Sequence, residues 1–153
     1  KIIMIIKTNP SVTVNSPSIC DGFTASLSAS GASSYTWTNG LASTSNPTTS
    51  ALTTTTTYTV TGTTSGCTGT AVSTVTVKPN PSVTVNSPII CNGQTANLIA
   101  SGATSYTWTN GLSATSNPTT PALINTTTYT VTGTTSGCTG TAVATVSVQP
   151  NLK

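Results

Sequence analysis

The sequence predicts an all-β protein made of two tandem antiparallel β-sandwich domains. Three observations carry that prediction. The chain repeats itself: residues 10–80 and 81–151 align without a gap at an offset of 71, and only 14 of those 71 positions differ. Within each copy, apolar residues alternate with Ser and Thr at a spacing of two, and no window shows the spacing of an amphipathic helix. Turn-forming pairs separate the alternating runs at short intervals. A fixed period makes the repeat the structural unit. Each element is therefore justified once and applies twice.

In the first copy Val12 and Val14 flank Thr13, which predicts a strand over 11–15 that ends at Asn15-Ser16-Pro17. After the Asp21-Gly22 turn, Ala25, Leu27 and Ala29 alternate with Ser26 and Ser28, a strand over 24–30. Tyr35 and Trp37 flank Thr36, a strand over 34–38 closed by Asn39-Gly40. A short strand over 41–45 precedes Asn46-Pro47. Tyr58 and Val60 alternate with Thr59 and Thr61 over 54–63, and Ser65-Gly66 turns the chain into a last strand over 69–77 carrying Val75 and Val77. Val and Thr suit strands because a branched β-carbon packs well on a pleated surface. Short strands with turn chemistry between them form sandwiches. The predicted core is Tyr35, Trp37 and Tyr58 in the first copy and Tyr106, Trp108 and Tyr129 in the second. Tyr58, shortly after Leu52, suggests a tyrosine corner. The domains are then 1–9, an apolar N-terminal strand; 10–80, repeat one; and 81–151, repeat two. Lys78-Pro79-Asn80-Pro81 joins the repeats, and its two prolines predict a stiff joint.

Charge is nearly absent. Lys1, Lys7, Asp21, Lys78 and Lys153 are the only charged residues, 3% of the chain, where about a quarter is usual. Thr takes their place, with 39 of 153 residues. A net charge of +3 this sparse makes no nucleic-acid footprint, and no stretch approaches the ~20 apolar residues of a membrane-inserted helix. With no His, no Glu and one Asp, general acid–base catalysis lacks candidates. Ca²⁺ needs several carboxylates, so neither an enzyme nor a metal or other cofactor is expected. The abundant threonines allow surface glycans, and Asn125-Thr126-Thr127 is the one N-glycosylation pattern.

A domain of 71 residues is close to the size at which a hydrophobic core alone is marginal. The four cysteines, Cys20, Cys67, Cys91 and Cys138, follow the repeat and allow three pairings. Pairing within each repeat, Cys20–Cys67 and Cys91–Cys138, is favoured because each repeat must close as the same unit. One disulfide per domain would then span 47 residues, worth about 4 kcal/mol in the chain-entropy model. Zinc is disfavoured by the spacing and the absence of His. Disulfides imply an oxidising, extracellular setting.

The set Cys20-Asp-Gly-Phe-Thr-Ala-Ser-Leu27, Tyr35-Thr-Trp-Thr-Asn-Gly40, Leu52 with Thr56-Thr-Tyr58-Thr-Val60, and Gly66-Cys-Thr-Gly69 resembles the Ig-like or PKD-like tandem repeats of large Bacteroidota cell-surface proteins, gliding adhesins among them. The resemblance covers 10–151 and recurs in both copies. It implies Ig-like sandwiches in a secreted or surface-attached bacterial array. Where PKD repeats carry an acidic turn, this chain has Trp37-Thr38-Asn39-Gly40.

Two features point to assembly. Ile2, Ile3, Met4, Ile5 and Ile6 lie, shifted by 71, over the last strand of a repeat, but are apolar on both faces. Such a strand is a remnant of an upstream domain or is donated to a neighbouring subunit by β-augmentation. In addition, Ser18, Ser28 and Thr53 become Ile89, Ile99 and Ile124 in the second copy. Ile99 follows inward-facing Leu98, so alternation turns it outward. An apolar strand on one repeat and apolar residues on the other suit a head-to-tail homopolymer, which propagates as a filament. The expected function is a subunit or segment of an extracellular filament or adhesin stalk. The alternative is a surface module that binds carbohydrate or ice through aromatic residues or threonine rows.

Overall fold

The structure, a computed structural model, describes residues 7–151. Among these residues every regular element is a strand, and the chain divides into two compact units, one ending at Lys78 and the next beginning at Pro79. The first unit contains β1 (Thr13–Val14), β2 (Ser18–Cys20), β3 (Ala29–Ser30), β4 (Ser34–Trp37), β5 (Thr56–Thr64) and β6 (Cys67–Lys78). The second contains β7 (Thr84–Val85), β8 (Ile89–Cys91), β9 (Ala100–Ser101), β10 (Ser105–Trp108), β11 (Thr127–Thr135) and β12 (Cys138–Gln149).

Each unit is a sandwich of two sheets. In the first, β2-β6-β5-β4 form the larger sheet. The smaller is β1 paired with β3 and extended by bridges Phe23↔Leu52 and Ser26↔Thr48. The second unit repeats both, as β8-β12-β11-β10 and β7-β9. The long β5–β6 hairpin turns through Ser65 (φ 52°) and Gly66 (φ 83°). Two positive φ values in succession make the hairpin turn whose twist matches that of its strands.

Two features differ from the sequence expectation. First, Ser18–Cys20 forms a strand, and it pairs parallel with the end of β6, with Cys20 opposite Lys78. The sandwich is thus not wholly antiparallel. Second, 41–45 is not a strand. Its carbonyls serve as acceptors instead: Trp37 donates its indole N–H to Thr44 O at 2.9 Å, and the Ala29 N–H bonds Ser45 O at 2.8 Å.

The core of each unit is two apolar clusters bridged by a tryptophan. Ala25, Leu27, Tyr58 and Val75 form one, and Ala29, Tyr35 and Val60 the other, with half-buried Trp37 packed against both. Trp108 holds the same place in the second unit. Tyr35 is tied down by its hydroxyl, which donates to Ala32 O and accepts from Ala32 N–H, each at 2.9 Å. Gly62 lies against the side chains of Ala32 and Val12. A Cβ there would stand 2.6 Å from both Ala32 Cβ and Val12 Cγ2, a separation packed side chains do not tolerate.

Gly62→Ala should therefore lower the stability of the first unit by about 1–3 kcal/mol in urea unfolding, and Leu27→Ala, which empties a site 1% exposed, by about 2–5 kcal/mol. Burial raises the Tyr129 hydroxyl above its ordinary value of 10.0. The folded chain holds that proton more tightly than the unfolded one. The associated stability is thus intact below the ordinary value and is lost as pH rises through the raised one. Alkaline titration of unfolding should show this loss in the second unit, and Tyr129→Phe should remove it.

Candidate functional site: the two ends of each sandwich

No group of three or more His, Cys, Asp or Glu capable of holding a metal is present among the described residues. Chemistry on this chain is concentrated instead at the ends of the larger sheets, where the cysteines sit.

Cys67 opens β6, while Cys20 lies opposite Lys78, the last residue of that strand. The two positions are 11 residues apart along β6, which at about 3.3 Å per residue is roughly 36 Å. In the second unit Cys138 opens β12 and Cys91 lies opposite Gln149, the same separation. A disulfide needs Cα atoms within about 7 Å. The within-repeat pairs Cys20–Cys67 and Cys91–Cys138 expected from the sequence are therefore excluded by the length of the last strand. Instead, Cys20 and Cys138 are disulfide-bonded, whereas Cys67 and Cys91 are free thiols, the first half-buried and the second exposed. The expectation of one disulfide closing each domain is corrected accordingly.

The surroundings of the two free thiols differ. Near Cys67 the chain enters the first unit: Lys7 Nζ donates to Ser65 O at 2.9 Å, and the Pro10 carbonyl lies against Gly69. Ile2, Ile3, Met4, Ile5 and Ile6 lie outside the described residues, and in the sequence they immediately precede this point. At the other end of the second unit, Ile89 shares the outward face of β8 with Cys91. Ile124 adjoins Leu123, whose carbonyl accepts the Gly93 N–H at 2.8 Å. Ile89 and Ile124 are 66% and 71% exposed. The structure thus brings these two isoleucines to the Cys91 end. Ile99, also exposed, lies further along the sheet, beyond the Asn97↔Thr119 bridge.

The aromatic residues are placed otherwise. Tyr35, Tyr58, Tyr106 and Tyr129 are buried. Trp37 and Trp108 are half-buried, with their indole N–H groups bonded to Thr44 O and Thr115 O. Phe23 is exposed at the Cys20 end of the first unit, where repeat two has Gln94. Alternation with Ala25, Leu27 and Ala29 places Phe23 inward, so no local signal marks its exposure.

No protein-family profile and no curated protein sequence matches the chain. Solved structures do. Extracellular domains 3–5 of Drosophila OTK match with a TM-score of 0.50 at 12% identity, over 92% of this chain and 62% of that one. Sidekick-1 immunoglobulin domains 1–4 match with a TM-score of 0.43 at 16% identity, over 95% of this chain and 48% of that one. Titin domains Z1Z2, solved in complex with telethonin, match with a TM-score of 0.40 at 16% identity, over 97% of this chain and all of that one. The chain thus spans about half of the Sidekick-1 fragment, somewhat more of the OTK fragment, and the whole of the titin one. At these identities the likeness defines the fold: the protein is an all-β tandem of Ig-like sandwiches.

Alkylation of the native protein should label Cys91 fastest and Cys67 more slowly, and should leave Cys20 and Cys138 unlabelled until a reductant is added. Peptide mapping by mass spectrometry reads all four.

Proposed function

We propose that the chain is a structural subunit or segment of an extracellular filament or adhesin stalk, and that subunits assemble head to tail with the N-terminal strand added to a neighbour. The observation that carries this reading is the exposed pair Ile89 and Ile124 at the Cys91 end of repeat two, where repeat one has Ser18 and Thr53. Two large apolar residues held in water on one copy only are explained by a partner that covers them. The apolar segment 2–6 supplies such residues, and Lys7, which follows it in the sequence, is bonded to the turn of the β5–β6 hairpin, at the opposite kind of end. Joining the two ends gives a contact that propagates without closing.

The disulfide-bonded cysteines support an oxidising compartment. The resemblance to Bacteroidota surface repeats supports a secreted or surface-attached array. A second reading, binding of carbohydrate or ice, is favoured by the threonine rows across the larger sheets: Thr36, Thr61 and Thr70 lie opposite one another in the first unit, and Thr107, Thr132 and Thr141 in the second. Rows of this kind also keep a nearly uncharged sheet wetted.

Deletion of residues 1–7 should leave both units folded by circular dichroism yet abolish sedimentable polymer. Restoring the repeat-one residues, as Ile89→Ser with Ile124→Thr, should raise the concentration needed for assembly at least about tenfold, given ~1.5–3 kcal/mol for each isoleucine covered. Polymer formed normally by the deletion variant would show that the segment is not a donor strand.

A further inference from the structure

Each repeat offers two kinds of cysteine position. One closes the short strand β2 or β8, and the other opens the long strand β6 or β12. One example of each kind, Cys20 and Cys138, is disulfide-bonded, and one of each kind, Cys91 and Cys67, is free. The repeats are otherwise nearly the same, so a disulfide is a state the fold accommodates at both kinds of position. Strand length forbids a bond between the two kinds within one repeat, since about 36 Å separates them. The free thiols are also less covered than their bonded counterparts: Cys138 is 1% exposed where Cys67 is half-buried, and Cys20 is half-buried where Cys91 is exposed.

We propose that Cys91 of one copy and Cys67 of the next form an intermolecular disulfide that locks chains head to tail. The proposal rests on the head-to-tail reading above and adds the covalent bond to it. The partner is a second copy of this chain, because a second copy presents the complementary thiol in the same sandwich context. Cys91 stands between the exposed Ile89 and the Ile124 loop, so the surface that the neighbour covers contains the thiol. Cys67 follows the hairpin turn whose Ser65 carbonyl accepts from Lys7 Nζ.

The oxidant is a small disulfide such as glutathione disulfide. The Cys91 thiolate attacks one of its sulfurs, forming a mixed disulfide and releasing one glutathione thiolate. The Cys67 thiolate of the neighbour then attacks the Cys91 sulfur, forming the Cys91–Cys67 bond and releasing the second glutathione. Two protein thiols lose two electrons and two protons, and one glutathione disulfide becomes two glutathiones.

The test uses the full chain with Cys67→Ser and Cys91→Ser, each alone and mixed in equal amounts, in a glutathione redox buffer. Products are read on non-reducing gels and by peptide mapping, and particles by electron microscopy. Wild type should give a covalent ladder. Neither variant alone should extend beyond a dimer. The mixture should give Cys91–Cys67 heterodimer in at least about tenfold excess over either self-dimer, because docking raises the effective concentration of that pair alone. A Cys91–Cys91, Cys67–Cys67 or intrachain Cys67–Cys91 product from wild type would overturn the proposal. Polymer that forms while both thiols stay reduced would overturn the bond and leave the head-to-tail reading standing. Absence of both polymer and ladder would overturn the two together.

Discussion

The 12-residue last strand of each sandwich is the element on which the rest of the structure depends. It pairs with the preceding strand over nine residues without interruption, from Thr56↔Val75 to Thr64↔Cys67 in the first unit. On its other edge it takes the short parallel strand that ends in Cys20 or Cys91. It contributes Val75 and Val146, each fully buried, to the cores. Its length also sets the distance between the cysteines of a repeat. At this length the two cysteines of a repeat lie at opposite ends of its larger sheet.

This fold keeps almost no charge and a large share of threonine. The branched β-carbon favours the strand, and the hydroxyl keeps the outer face hydrated. Against such a uniform surface, Ile89 and Ile124 stand out as substitutions with no role in the core. They are not needed to stabilise the sandwich, since repeat one folds the same way with Ser18 and Thr53. They lie exposed at the end where the free thiol of Cys91 also lies.

Much of the fold was legible in the sequence because alternation is a local signal. Tyr35 with Trp37 marked β4, and Tyr58 with Val60 marked β5. Leu98 inward and Ile99 outward are 0% and 57% exposed. What was not legible is what depends on register between distant segments. Ser18-Ile19-Cys20 is too short to show a period, and its partner lies near 76–78, so the parallel pairing had no local trace. That pairing alone puts Cys20 at the far end of β6 from Cys67. The symmetry of the repeat, which favours Cys20–Cys67 and Cys91–Cys138, carries no trace of that separation. The segment 41–45 has strand-like composition, but its carbonyls are taken by the Trp37 indole and by the Ala29 N–H of β3. At the candidate site, the identity of the isoleucines was readable, whereas the gathering of Ile89 and Ile124, without Ile99, at the Cys91 end was not.

The central claim is that these sandwiches are units of a polymer that grows end on end. Negative-stain electron microscopy of the intact protein under oxidising conditions tests it most directly. The account predicts long, unbranched particles one sandwich wide. A field of isolated two-domain particles, unchanged as the protein concentration is raised, would contradict it.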